Sequence, residues 1–188
     1  LTDALKTYAN KKNYIATQGL PILRETIARH GFFHPSTTAE NILIGPGCKP
    51  LIYLLLSQLP GDVILSQPSW VSYAPQAKLL GKTVHWLPTT FETHHMLTAE
   101  SLHALCKTIP NRPLTLILNS PNNPTSQVFD AHELENIASV ARQNNITILS
   151  DELYAQTTYA NTPFHSICNW YPEGTIVLSG ISKHLALG

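Results

Sequence analysis

The sequence lacks an excess of charge of either sign: 12 Lys and Arg balance 12 Asp and Glu over 188 residues. That removes the electrostatic argument for nucleic acid or an anionic membrane surface as a partner. No apolar run approaches the roughly 20 residues of a membrane span. The opening Leu1-Thr2-Asp3-Ala4-Leu5-Lys6 has no signal-peptide core, and it has no initiator Met, so the chain is expected to belong to a longer one. There are only three cysteines, Cys48, Cys106 and Cys168, an odd number at spacings that fit no metal or redox motif. Free thiols in a reducing compartment, and hence a cytoplasmic location, are the expectation. His94 and His95 have no third ligand near them in sequence, which reads as a polar surface pair rather than a metal site. The spacings GxxxxGK[ST] and GxGxxG are both absent, which disfavours a general nucleotide-binding domain.

What is present is a regular alternation. At 43% hydrophobic residues the chain has enough apolar material for one sizeable domain. Short apolar or alternating runs at 41–44, 62–65, 83–87, 114–118, 146–150 and 175–178 read as strands. Helical patterns lie between them, at 2–10, from Pro21 to about 30, from 51 to 59, up to 80, from 98, and at 130–144. Glycine or proline punctuates the joints, with Gly31 fitting a helix C-cap and Pro110-Asn111-Arg112-Pro113 breaking the helix that starts at 98. Asp130 is placed to cap the 130–144 helix, with Glu133 completing a capping-box pattern. Continuous apolar strands such as Leu114–Leu118 suit a parallel sheet covered on both faces. The whole pattern predicts a three-layer α/β fold with a doubly wound, mostly parallel sheet. In such sheets ligands sit outside the carboxyl ends of the strands.

The residues with chemical potential fall at those ends. Gly45-Pro46-Gly47-Cys48-Lys49 joins a strand to a helix, and such a turn lets backbone N–H groups approach a phosphate at the positive end of the helix. Many strand–helix turns need glycine, so this signal alone is weak. Trp70 follows the next strand and is either a ring platform or a core residue capping the sheet. Asn122-Asn123-Pro124 follows the 114–118 strand, and a bare Asn-Pro turn would be ordinary. Asp151 ends the 146–150 strand, where a carboxylate is costly unless paired; the alternative is an N-cap for a short helix. Lys183, in Ser179-Gly180-Ile181-Ser182-Lys183 after the last strand, is by itself a loop lysine.

Taken together these segments resemble the class I/II aminotransferases of pyridoxal phosphate (PLP) fold type I, over nearly all of the chain. The motifs that carry the resemblance are Tyr14 with Gly19-Leu20-Pro21 and Leu23-Arg24, the Gly47-Cys48-Lys49 turn, and Pro60-Gly61-Asp62 followed by Pro68-Ser69-Trp70. Asn123-Pro124-Thr125, Asp151-x-x-Tyr154 and Ser182-Lys183 complete them. The resemblance implies PLP as cofactor, with Lys183 as the catalytic residue carrying it as a Schiff base. It places Gly47, Cys48 and Lys49 at the phosphate with the hydroxyl of Ser182 or Ser179, Trp70 against the ring and Asp151 on the ring nitrogen. Asn123 and Tyr154 fall on the 3′-oxygen, and Tyr14 reaches the phosphate of a partner subunit in a homodimer. The substrates implied are an amino acid and a 2-oxo acid. Three positions depart from the common pattern: Cys48 where Ala, Ser or Thr is usual, Ser126 where Gly is usual, and Gly180 where a phosphate-binding serine often stands. Residues 1–188 would form an incomplete large cofactor-binding domain, without the arginines expected beyond Gly188, and this piece alone is expected to have little or no transaminase activity. Two rivals remain at this stage: a PLP-dependent lyase of the same fold, and an aminotransferase-like effector-binding domain of a transcription regulator.

Overall fold

The computed structural model describes residues 2–11, 13–30, 34–109 and 113–187. They fall into two compact units, one within the chain up to Gly45 and one from Pro46 onward together with His34. The expected cap at Gly31 and helix break at 110–112 lie outside the described residues.

The first unit carries α1 (Thr2–Tyr8) and α2 (Pro21–His30). Pro21 opens α2, where a missing N–H costs no helical bond. The preceding Gly19 has φ +102°, and a Cβ there would lie 2.6 Å from the Ile44 side chain, so only glycine fits the turn. Arg24 is buried and donates through Nη1 to the Ala39 carbonyl at 2.8 Å. The strand expected at 41–44 is absent. Ala39–Asn41 forms a 3-10 turn, and the extended residues after it join no sheet. The Ile44 N–H bonds to the Gln18 carbonyl at 2.9 Å. An apolar run makes a strand only where a neighbouring strand completes its ladder.

The second unit holds the sheet: β1 (Asp62–Gln67), β2 (Val84–Pro88), β3 (Leu114–Asn119), β4 (Ile146–Asp151) and β5 (Thr175–Leu178). The order is β2-β1-β3-β4-β5, and every neighbouring pair is parallel. The α-helices among the described residues of this unit are α3 (Cys48–Gln58), α4 (Tyr73–Leu79), α5 (Ala99–Thr108) and α6 (Ala131–Gln143). The pleat sorts the strand residues onto two faces. Ile64, Leu116 and Ile148 pack with Leu102 of α5 and Leu134, Ile137 and Ala141 of α6. Val63, Leu65, Ile117 and Leu149 pack with Ile52 and Leu56 of α3 and Ala77 of α4. This is the three-layer, doubly wound arrangement, here with an all-parallel sheet.

The helix ends are capped by their own sequence. Thr98 and Ser101 form a reciprocal capping box at α5. Asp130 accepts from the Glu133 N–H at 2.8 Å, as expected for an N-cap. Glu133 does not complete that box. Its carboxylate accepts from the Ala99 N–H at 2.6 Å and so ties the start of α5 to α6.

The chain direction reverses between β1 and β3: β2 lies outside β1 on one side, and β3, β4 and β5 follow on the other. Such a switch point leaves a crevice at the carboxyl ends of the strands, the place where open α/β sheets take ligands.

Candidate active site

In the second unit the residues singled out from the sequence lie after the carboxyl ends of β1, β3, β4 and β5 and at the start of α3. Asp151 closes β4 and is 5% exposed. Its Oδ2 accepts from the Tyr73 hydroxyl at 2.6 Å, and its Oδ1 from the Leu153 N–H at 3.2 Å. The second bond fixes the turn after the strand, but the short 3-10 helix that follows, Ala155–Thr157, has Tyr154 at its N-cap, so Asp151 is not the helix cap weighed from the sequence. Burial raises the Asp151 pKa, and the two hydrogen bonds oppose that rise. Among the described residues no cationic side chain pairs with it.

Beside β4, Asn119 ends β3 in register with Asp151. Its Nδ2 donates to the Asp151 carbonyl at 2.8 Å, and its Oδ1 accepts from the Asn123 N–H at 2.7 Å. The Asn122–Pro124 loop is thereby fixed against the end of β4. Asn123 and Tyr154 line one cavity together with Asn122, Val128, Thr157 and Tyr159. Ser126 has φ +61°, the left-handed region that favours glycine, which explains why glycine is usual at this place in the motif.

Gly47 starts α3 with φ +111° and ψ 160°. The N–H groups of Cys48 and Lys49 lie in the first turn, where the helix itself offers them no carbonyl. The Cys48 thiol is buried and donates to the Ser179 carbonyl at 3.3 Å. Burial, reinforced by Asp151, pushes the thiol up to about 11. A Cβ on Gly180 would come within 3.2 Å of Leu153 Cδ1 and 3.8 Å of Cys48 Sγ. The 179–183 turn thus lies close against the start of α3, and the small residue at 180 permits it. Ser182 is half-buried in that turn. Lys183 is exposed, with Nζ 5.9 Å from the centre of the Tyr154 ring. Trp70, half-buried after β1, has Lys49 Nζ 5.9 Å from its ring centre.

The second unit therefore brings together Gly47, Cys48, Lys49, Trp70, Asn123, Asp151, Tyr154, Ser179, Ser182 and Lys183 around four strand ends. Tyr14 lies in the first unit and is fully exposed. No group of three His, Cys, Asp or Glu among the described residues is arranged to hold a metal ion.

Three side chains here were not singled out from the sequence. Tyr73 and Asn119 are two; a polar residue closing an apolar strand was the available signal for Asn119. The third is Glu152, buried beside Asp151, whose Oε1 accepts from Ser150 Oγ at 2.8 Å and Ser166 Oγ at 2.6 Å. Its backbone N–H bonds to the Leu178 carbonyl of β5 at 2.8 Å. Burial pushes the Glu152 carboxyl up to about 7, against the pull of the two hydroxyls. A carboxyl raised on folding favours the folded state below its unfolded pKa, and that contribution is lost as pH rises through the folded value. The protein is therefore expected to lose stability between about pH 4.5 and pH 7 through this group, on the order of 3 kcal/mol. Glu152→Gln keeps an oxygen for both serines and should flatten that window. Denaturant unfolding at pH 5 and pH 8 checks it; the same loss in both proteins would contradict this role for Glu152.

A buried carboxylate at the end of β4, the N-terminus of α3 and a lysine after β5 thus lie on the carboxyl-end side of the sheet. Comparison with known proteins gives the family. The profile of aminotransferase class I and II matches residues 5–188, and the chain belongs to that family, whose cofactor is PLP. An aspartate aminotransferase of Bacillus sp. (strain YM-2) is 37% identical over 180 residues, which cover 90% of this chain and 45% of the relative. An asparagine–oxo-acid transaminase of Streptococcus mutans is 35% identical over 178 residues, covering 90% and 44%. A single mutant of Thermus thermophilus aspartate aminotransferase superposes with a TM-score of 0.88 at 29% identity, over 99% of this chain and 50% of that one. The chain spans about half the length of the relatives it matches.

Proposed function

We propose that this protein transfers an amino group between an amino acid and a 2-oxo acid, with PLP held on Lys183. The observation that carries the reading is Asp151: a buried carboxylate at the carboxyl end of β4, hydrogen-bonded on both oxygens yet without a cationic partner among the described residues. A protonated pyridine nitrogen is the partner such a group fits, because its charge offsets what burial costs the carboxylate.

The donor set suits the rest of the cofactor. The N–H groups at Cys48 and Lys49, with Gly47 keeping the approach open, and the hydroxyls of Ser179 and Ser182 would hold the phosphate. Trp70 would lie against the ring face, and Asn123 and Tyr154 would donate to the 3′-oxygen. When bound, PLP supplies an electron sink for charge developing at the substrate α-carbon. The chain supplies position and proton movement. The Lys183 amine would hold the cofactor covalently and, when free, would move a proton between the substrate α-carbon and the cofactor carbon C4′. Asp151 would keep the ring nitrogen protonated. Asn119 keeps Asn123 in register with Asp151 through its two hydrogen bonds.

The same reading assigns residues 1–188 to the large cofactor-binding domain of the protein. It also assigns a homodimer in which Tyr14 serves the partner's phosphate site. The exposure of Tyr14, together with Leu5, Tyr8, Ile15 and Ile22, supports that assembly. The three free thiols support a cytoplasmic location. Product analysis of the full natural chain, loaded with PLP and given an amino acid alone, tests the reaction. A 2-oxo acid with aminated cofactor is the expected outcome. Elimination products in place of the oxo acid would make the protein a lyase.

A further inference from the structure

Tyr73 opens α4 and is 1% exposed. A buried position on an amphipathic helix is filled as well by phenylalanine or leucine, neither of which brings a hydroxyl that must be satisfied. Here the hydroxyl meets Asp151 Oδ2 at 2.6 Å. The ring meets Trp70 edge to face, with centroids 5.1 Å apart and planes at 80°. One side chain thus touches both of the groups assigned above to the cofactor ring, the carboxylate at its nitrogen and the indole at its face. We propose that Tyr73 is a positioning residue for the cofactor, its ring setting the tilt of Trp70 and its hydroxyl holding the Asp151 carboxylate in place. The inference rests on the reading of this site as a PLP site.

The hydroxyl has a second effect. Burial favours the neutral acid at Asp151, and the hydrogen bonds from Tyr73 and Leu153 oppose it. The Tyr73 bond is the shorter of the two, 2.6 Å against 3.2 Å, and an O–H donated to a carboxylate at that distance is a strong one. Tyr73 itself stays protonated, because burial and the neighbouring carboxylate push its ionisation far above the ordinary tyrosine range. The other titratable groups around Asp151 are Cys48 from α3, Glu152 on the same strand end and Tyr154 from the turn that follows. Cys48, raised to about 11, is neutral between pH 6 and pH 8. Glu152, raised to about 7, titrates inside that window, but it does so with or without the Tyr73 hydroxyl.

The test uses the full natural chain, with PLP dissociation constants measured by absorbance and fluorescence at pH 8 and pH 6. Tyr73→Phe keeps the contact with Trp70 and loses the hydroxyl. Its affinity is expected to fall about tenfold at pH 8, the worth of one hydrogen bond to a charged group. At pH 6 the gap from the parent should widen, because losing the hydroxyl removes one of the two hydrogen bonds that oppose the rise burial causes at Asp151. That widening is the readout a merely structural tyrosine would not move. Tyr73→Leu, which also loses the ring contact, should bind a few-fold more weakly than Tyr73→Phe. In an Asp151→Asn background, Tyr73→Phe should cost less than about threefold, because the charged partner is already gone. Equal affinities of parent and Tyr73→Phe, or a ratio that is the same at both pH values, would overturn the proposal and leave the site reading intact. A parent that takes up no PLP would overturn both.

Discussion

Lys183→Ala in the full natural chain is expected to lower amino transfer by at least about 10³-fold. A positioned base that moves a proton contributes about 10²–10⁴-fold, and this variant also removes the covalent attachment. The loss should appear in turnover more than in folding, because Lys183 is exposed and its recorded contact is the 5.9 Å approach to the Tyr154 ring. Lys107→Ala, on the exposed side of α5, is the matched control and should leave activity unchanged. An added small amine should restore part of the activity of Lys183→Ala, since the missing element is a free base next to the substrate α-carbon. Turnover within tenfold of the parent would show that the proton passes elsewhere.

Asp151→Asn should weaken PLP binding by about 10²–10³-fold, corresponding to the roughly 3–5 kcal/mol that follows removal of one partner from a buried charge pair. Asparagine still offers an oxygen to the Tyr73 hydroxyl or the Leu153 N–H, so the local frame should survive. Without cofactor, the sign of the stability change is the opposite of the binding change. Burial penalises the Asp151 carboxylate, so the neutral variant should unfold at an equal or higher temperature than the parent. A carboxylate that costs stability and gains cofactor affinity is the pattern expected of a binding group. A variant that loses both stability and binding would instead make Asp151 a structural strand cap.

The sheet was largely legible in the sequence, because its strands are continuous apolar runs ending in polar residues. Leu114–Leu118 and Ile146–Ser150 each predicted a doubly covered strand, and β3 and β4 extend one residue further, to Asn119 and Asp151. Ile42–Ile44 failed on the same rule, because composition does not record whether a neighbouring strand is present. The site was legible where a polar residue follows a strand end, as with Asp151 and Lys183. It was illegible where a contact depends on how a helix lies on the sheet. Tyr73 and Asp151 are separated by 78 positions, and only the packing of α4 over β1 and β4 joins them. Glu133 shows the same limit at smaller scale: its spacing from Asp130 predicted a local cap, and the packing of α5 against α6 gave its carboxylate a different N–H. The glycine at 180 and the serine at 126 were visible as departures, but their reasons, the closeness of Leu153 and a left-handed backbone, are geometric.

The most direct test of the account is borohydride reduction of the PLP-loaded full chain followed by peptide mass mapping. A single stable pyridoxyl label on Lys183, lost in Lys183→Ala, is the expected result. A folded protein that takes no label, or takes it on Lys49 and scattered surface lysines, would contradict it.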